Sequence, residues 1–100
     1  MIDISPEQEN TICQILDEFI PGRKVMVFGS RISSAAKPYS DLDLAIMGNV
    51  PVELSTLALL KDAFAESDLS FRVDVLQWCR TSPEFKKVME PQLQPIRRSD

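Results

Sequence analysis

The sequence predicts an α/β protein with a small mixed β-sheet flanked by helices. Apolar residues recur at helical spacing in two long segments, and three short segments are continuously apolar or alternate as strands do. Turn residues separate them in the order helix, strand, loop, strand, helix, strand, short helix. With 100 residues, 44% of them hydrophobic, we expect a single domain over residues 1–100 with a modest core.

The first helix is predicted to begin directly after Ser5. Ser5 can cap it, Pro6 suits the first helical position, and Gln8 stands where the second residue of a capping box belongs. A short apolar strand follows at residues 24–28. Gly29 comes directly after it, so the backbone can turn sharply there.

The second half of the chain repeats strand and helix. The serine-rich residues 30–40 are typical of a loop, and residues 71–78 alternate as a strand. Ser82 followed by proline predicts a short helix, and the chain from about residue 91 is expected to be a loosely held tail. The predicted elements of this half are a strand at 41–47, a helix at 52–67, a strand at 71–78 and a helix at 83–90.

Three aspartates stand on predicted strands. Asp41 and Asp43 are two residues apart, so their side chains project from the same side of a strand and repel each other. Hard carboxylate oxygens arranged in this way suit Mg²⁺. Asp74 lies inside an apolar strand and needs a partner, which is either the same metal site or an ion pair with Arg72 or Arg23.

The turn after the first strand offers donors for phosphate. Gly29 permits close approach to backbone amides, and Ser30 adds a hydroxyl. Arg31 is either a solvated loop charge or a further phosphate ligand. Together with three carboxylates, this turn predicts a site that holds one or two Mg²⁺ ions against a nucleoside triphosphate.

The composition excludes several other kinds of site. The chain has no histidine, which removes histidine-based acid–base catalysis and Cys/His zinc sites. Its net charge of −4 weighs against a nucleic-acid substrate. We expect two reduced cysteines, neither a targeting segment nor a membrane span, and a cytoplasmic protein. A domain this small would need a partner chain or a second copy to complete a deep pocket.

These residues resemble a known family. The segment Gly29-Ser30-Arg31, the run from Ser40 to Leu44 with its paired aspartates, and Val73-Asp74-Val75 look like the minimal nucleotidyltransferases of the DNA polymerase beta superfamily. The resemblance extends over nearly the whole chain.

The resemblance implies a fold, an activity and a partner. It implies the polymerase beta-like fold, with Gly29 and Ser30 at the triphosphate of ATP and Asp41, Asp43 and Asp74 as catalytic residues and Mg²⁺ ligands. Asp74 would also be the general base for the acceptor hydroxyl. Short members are typically encoded beside a helical HEPN-domain protein and resemble the antitoxin of a toxin–antitoxin pair. Such a protein transfers AMP from ATP to a tyrosine of the toxin.

The chain departs from the family pattern at one position. Many members have a glycine four residues after the motif serine, whereas this chain has Ser34. If that position needs a positive φ, the substitution costs about 1 kcal/mol and shifts the loop away from the phosphates. The alternative function is therefore a catalytically weak or inactive binding module that neutralises its partner by occlusion.

Overall fold

The computed structural model describes residues 4–29 and 41–96. All helices and strands predicted from the sequence are present, and their ends differ from the predicted ones by one or two residues. The predicted loop at 30–40 lies outside the described residues. The helices are α1 (Pro6–Phe19), α2 (Leu54–Ala65) and α3 (Pro83–Met89), and the strands are β1 (Val25–Phe28), β2 (Leu42–Ile46), β3 (Val73–Gln77) and β4 (Gln94–Pro95).

The described strands form one four-stranded sheet in the order β3-β2-β1-β4. β1 pairs antiparallel with β2 and with β4, whereas β2 and β3 are parallel. The parallel pair requires a crossover, which α2 provides between β2 and β3. The sheet is therefore mixed, and the predicted fold class is confirmed.

The helix ends follow the predicted capping signals. The Oγ of Ser5 accepts from the N–H of Gln8 at 3.1 Å, and the N–H of Ser5 donates to the Oε1 of Gln8 at 2.8 Å. In α3, the Oγ of Ser82 accepts from the N–H of Phe85 at 3.2 Å. No helix within residues 4–29 and 41–96 has the length and apolar content that crossing a membrane would require.

The hydrophobic core lies on one face of the sheet, between the strands and the packed pair α1 and α2. Alternation along the strands sends every second side chain to this face. The reverse face carries Phe28, Asp43 and Asp74, which share it by register. The largest fully buried side chains of the core are Ile12, Leu16, Val27, Leu42, Leu44, Ile46 and Leu60.

The end of the described chain differs from the loosely held tail that we expected from about residue 91. β4 pairs with β1 in the register Met26 to Pro95 and Val27 to Gln94, and Ile96 is only 5% exposed in the core. Pro95 lies on an edge strand, where its missing N–H is tolerated. The prolines that suggested a tail are thus compatible with a short edge strand, and the apolar Ile96 anchors it.

A buried glutamine fixes α2 relative to the sheet. Gln77, at the end of β3, is 7% exposed, and its Oε1 accepts from the N–H of Val52 just before α2. Arg23 acts at the same end of the sheet, where it donates to the carbonyls of Met47 and Val50 at 2.9 and 2.8 Å. These bonds fix the end of the sheet that lies away from Asp43 and Asp74.

Candidate active site

Strand register brings two of the predicted acids together. Asp43 of β2 lies directly opposite Asp74 of the parallel strand β3. Residues opposite each other project from the same face of a sheet, so both carboxylates stand on the face away from α1 and α2. Asp41 is exposed and comes one residue before β2, where the N–H of Leu42 already bonds to the carbonyl of Arg72 at 2.8 Å.

Gly29 lies against the Asp43 side chain. Its φ is +86°, a conformation that glycine adopts readily and other residues rarely do. A Cβ at this position would collide with the Oδ2 of Asp43 and would lie 3.4 Å from its Cγ. Glycine is therefore required twice here, once by the turn that ends β1 and once by the approach of the carboxylate.

Electrostatics single out Asp43 among the described acids. Burial raises the pKa of the Asp43 carboxyl, and the neighbouring charges of Asp74 and then Asp41 raise this pKa further. Asp74 and Asp41 are thus each close enough to Asp43 to interact with it. Asp43 forms no ion pair with any described lysine or arginine, so its charge lacks a cationic partner within the described residues.

Asp74 has a cationic neighbour in the structure. The Nε of Arg72 lies 3.2 Å from its Oδ1, and the two side chains are 76% and 45% exposed. Residues two apart on a strand share a face, which explains this pairing. Of the two partners that the sequence left open, Arg72 makes the contact, and Arg23 instead bonds to backbone carbonyls. An ion pair this exposed contributes little to stability.

The donor set fits a hard divalent cation. Carboxylate oxygens are the ligands that Mg²⁺ prefers, and a cation beside Asp43 would neutralise the repulsion that raises its pKa. The described side chains nevertheless form no ready group of three acidic or sulfur ligands. The Oδ1 of Asp74 contacts Arg72, so a cation shared with Asp43 would compete with this ion pair.

Three residues of the predicted site lie outside the described residues. These are Ser30 and Arg31, predicted at the triphosphate, and Ser34, the departure from the family pattern. Their assignment stays a prediction. Gly29, the last described residue before them, follows β1 directly and lies beside Asp43.

An aromatic pair next to the site was not anticipated from the sequence. Phe28 lies opposite Asp43 in the β1–β2 register, and its ring meets that of Phe85 in α3 edge to face, with centroids 5.7 Å apart. Phe28 shares the reverse face of the sheet with Asp43, so α3 packs over this face through the ring of Phe85. The available signal was the position of Phe28 directly before Gly29, but the antiparallel register that aligns it with Asp43 is not readable from one strand alone.

The site has a definite layout across the sheet. The strand order puts Gly29 of β1 on one side of Asp43 and Asp74 of β3 on the other. A phosphate chain beginning at the Gly29 turn would therefore reach Asp43 first, and a second substrate would approach from the β3 side. Such an arrangement suits transfer of a phosphoryl-linked group between two bound molecules.

Comparison with known proteins agrees with this geometry. The family model described as "Polymerase beta, Nucleotidyltransferase" matches residues 10–94. The chain is also 43% identical, over 88 residues, to the "Probable protein adenylyltransferase MntA" of Haemophilus influenzae (strain ATCC 51907 / DSM 11121 / KW20 / Rd). That match covers 88% of this chain and 77% of the relative. The chain therefore belongs to the polymerase beta nucleotidyltransferase family of enzymes.

Proposed function

We propose that this protein is a Mg²⁺-dependent protein adenylyltransferase that transfers AMP from ATP to a tyrosine hydroxyl of a HEPN-domain toxin, and so acts as its antitoxin. The observation that carries the proposal is the placement of Asp43 between the Gly29 turn and Asp74 on the reverse face of the sheet. The relative named as a probable protein adenylyltransferase supports a protein acceptor.

The position of each residue in the site suggests its role in the reaction. The turn at Gly29, together with Ser30 and Arg31, would hold the triphosphate of ATP. Asp74 would take the proton of the acceptor hydroxyl as its oxygen attacks the α-phosphorus. A new phosphodiester bond then forms to the acceptor, the bond between the α- and β-phosphates breaks, and pyrophosphate leaves.

The metal would be held by Asp41, Asp43 and Asp74. When bound, Mg²⁺ would neutralise charge on the triphosphate and on the departing pyrophosphate. The ion pair of Asp74 with Arg72 would give way at little cost, because the two side chains are 45% and 76% exposed and such a pair is weak. Asp43 needs no such release, since it has no cationic partner among the described residues.

Labelled ATP tests the proposal directly. The protein, Mg²⁺ and the purified product of a neighbouring HEPN gene are incubated with ATP labelled in the α-phosphate, and the label on the partner is measured. We expect Asp43→Asn and Asp74→Asn each to lower labelling by at least about 10²-fold. Asp68→Asn removes the same charge from an exposed loop position and should label normally. Equal labelling by all three variants would disprove the site assignment.

The alternative, a binding module that silences its partner by occlusion, has one observation in its favour. Val50, Leu54 and Leu59 are large apolar side chains that are mostly exposed around the start of α2. Such groups suit docking to another protein. Growth protection separates the two functions: an adenylyltransferase loses protection with Asp43→Asn, whereas an occluding module keeps it.

A further inference from the structure

Strand β3, which carries Asp74, is the outer strand of the described sheet on that side. The carbonyl of Arg72 bonds to the N–H of Leu42, so the backbone groups of Arg72 point toward β2. In a regular strand next to a parallel neighbour, alternate residues direct both backbone groups to the same side. The N–H and C=O groups of Val73 and Val75 therefore point away from β2, on either side of Asp74.

A cleft of about 570 Å³ runs along this outer edge, between β3 and the second half of α2. Its apolar lining includes Phe64, Leu69 and Phe71, and its charged lining includes Lys61, Asp62 and Arg72. Val73, Asp74 and Val75 also line it, so the cleft is continuous with the candidate active site. A free strand edge beside a helix is a recurring site for extended peptides, which pair with the strand and place alternate side chains in the groove.

We propose that this cleft binds an extended segment of the acceptor protein, added as a fifth strand alongside β3, with the hydroxyl-bearing residue opposite Asp74. The inference rests on the proposed function, because it names how the acceptor of that reaction is held. Backbone bonds to Val73 and Val75 would fix the register of the segment.

The register predicts a sequence pattern in the acceptor. A residue opposite Asp74 shares its face and points toward the carboxylates, while its two neighbours point to the α2 side and into the apolar cleft. We therefore expect a hydroxyl residue with an apolar side chain directly before and directly after it.

Strand spacing favours tyrosine as that hydroxyl residue. Adjacent strands lie about 5 Å apart, so the added strand lies about two such spacings from β2, on which Asp43 stands. A serine hydroxyl would stay near its own strand, beside Asp74. A tyrosine ring lying across the face would carry its hydroxyl past β3 toward Asp43, where the phosphate chain is expected.

The position of Gly29 argues for an acceptor in the cleft rather than a nucleotide. Gly29 lies on the β1 side of Asp43, whereas the cleft lies beyond β3. An acceptor in the cleft and a triphosphate at the turn would meet at Asp43 from opposite sides. A nucleotide in the cleft would leave the turn without a role.

Peptide binding to the intact protein, measured by NMR titration without ATP or Mg²⁺, tests the docking mode. One short peptide carries a central tyrosine flanked by valines, and its control has the same composition with the valines moved away from the tyrosine. We expect the first peptide to shift the β3 and α2 amide signals at a concentration at least tenfold lower than the control. Equal binding of the two peptides, or no binding at millimolar concentration, would overturn the proposal.

Backbone methylation of the peptide tests strand addition itself. In a parallel addition, the nitrogen of the tyrosine faces β3, and in an antiparallel one the nitrogens of its neighbours do. In either case, methylation of every second peptide nitrogen should abolish binding, and methylation of the nitrogens between them should not. Binding that tolerates methylation at every position would refute strand pairing. A dimer of the protein through β3 that the peptide does not dissociate would refute it as well, because the strand edge would then be occupied.

A matched pair of variants locates the site on the protein. Ala65 lines the cleft and Ala58 does not, yet both are exposed on α2. We expect Ala65→Trp to weaken peptide binding and AMP transfer at least tenfold, and Ala58→Trp to change neither. Full transfer to the partner by Ala65→Trp would reject the cleft while the proposed function stands. If no AMP transfer occurs but cleft binding does, the proposed function fails and the docking site stands.

Discussion

Replacing Gly29 by alanine tests how the site is built. Gly29 has a φ of +86°, and a Cβ there would collide with the Oδ2 of Asp43. Gly22 offers a matched control, because its φ is +79° and a Cβ there would meet no atom within 4 Å. The two substitutions therefore impose a similar positive φ on alanine, and only one of them disturbs the carboxylate.

The expected losses of stability and of transfer rate distinguish the backbone strain from the displacement of Asp43. A non-glycine residue in the left-handed region costs about 1–2 kcal/mol, so both variants should lose that much free energy of unfolding. For a domain of this size each kcal/mol lowers Tm by about 4–8 °C. The colliding oxygen is the end of a side chain, so it can move aside, and the clash in Gly29→Ala shifts Asp43 rather than unfolding the protein. A misplacement of about 1 Å in an active site costs about 10²-fold in rate.

Thermal unfolding and AMP transfer, measured on the same preparations, provide the assay. We expect Gly22→Ala and Gly29→Ala to unfold at similar temperatures below that of the parent protein. Transfer should fall about 10²-fold in Gly29→Ala and stay near the parent level in Gly22→Ala when both are assayed well below their Tm. Equal transfer rates in the two variants would refute the reasoning that Gly29 is needed to place Asp43.

Three further substitutions test the fold and the site. Because folding raises the pKa of Asp43, its ionised form destabilises the native state above that pKa. Asp43→Asn should therefore raise the free energy of unfolding of the metal-free protein near neutral pH, and the gain should vanish as pH falls below 3.8, the ordinary value for this carboxyl. Gln77→Ala leaves the N–H of Val52 without its acceptor and should cost about 1–3 kcal/mol in urea unfolding. Ile96→Ala should cost about 2–5 kcal/mol, whereas the same truncation at the exposed Val88 should cost little; equal losses would contradict the place of Ile96 in the core.

Local sequence patterns predicted most of the elements because their causes are local. Helical spacing of apolar residues and the caps at Ser5 and Ser82 fixed where helices begin. The tail was predicted wrongly over residues 94–96 because the cause of its structure is not local. A two-residue strand at Gln94–Pro95 has no periodicity of its own and forms only because β1 offers it an edge.

The sequence by itself predicted the chemistry of the site: a glycine directly after a strand, and carboxylates on strands with apolar neighbours. These follow from residue type and from spacing along one strand. Only the tertiary structure decided that Asp43 faces Asp74, that Arg72 rather than Arg23 contacts Asp74, and that Gly29 lies against Asp43. Pairing order and register depend on how the whole sheet buries its apolar face, and no single segment contains that information.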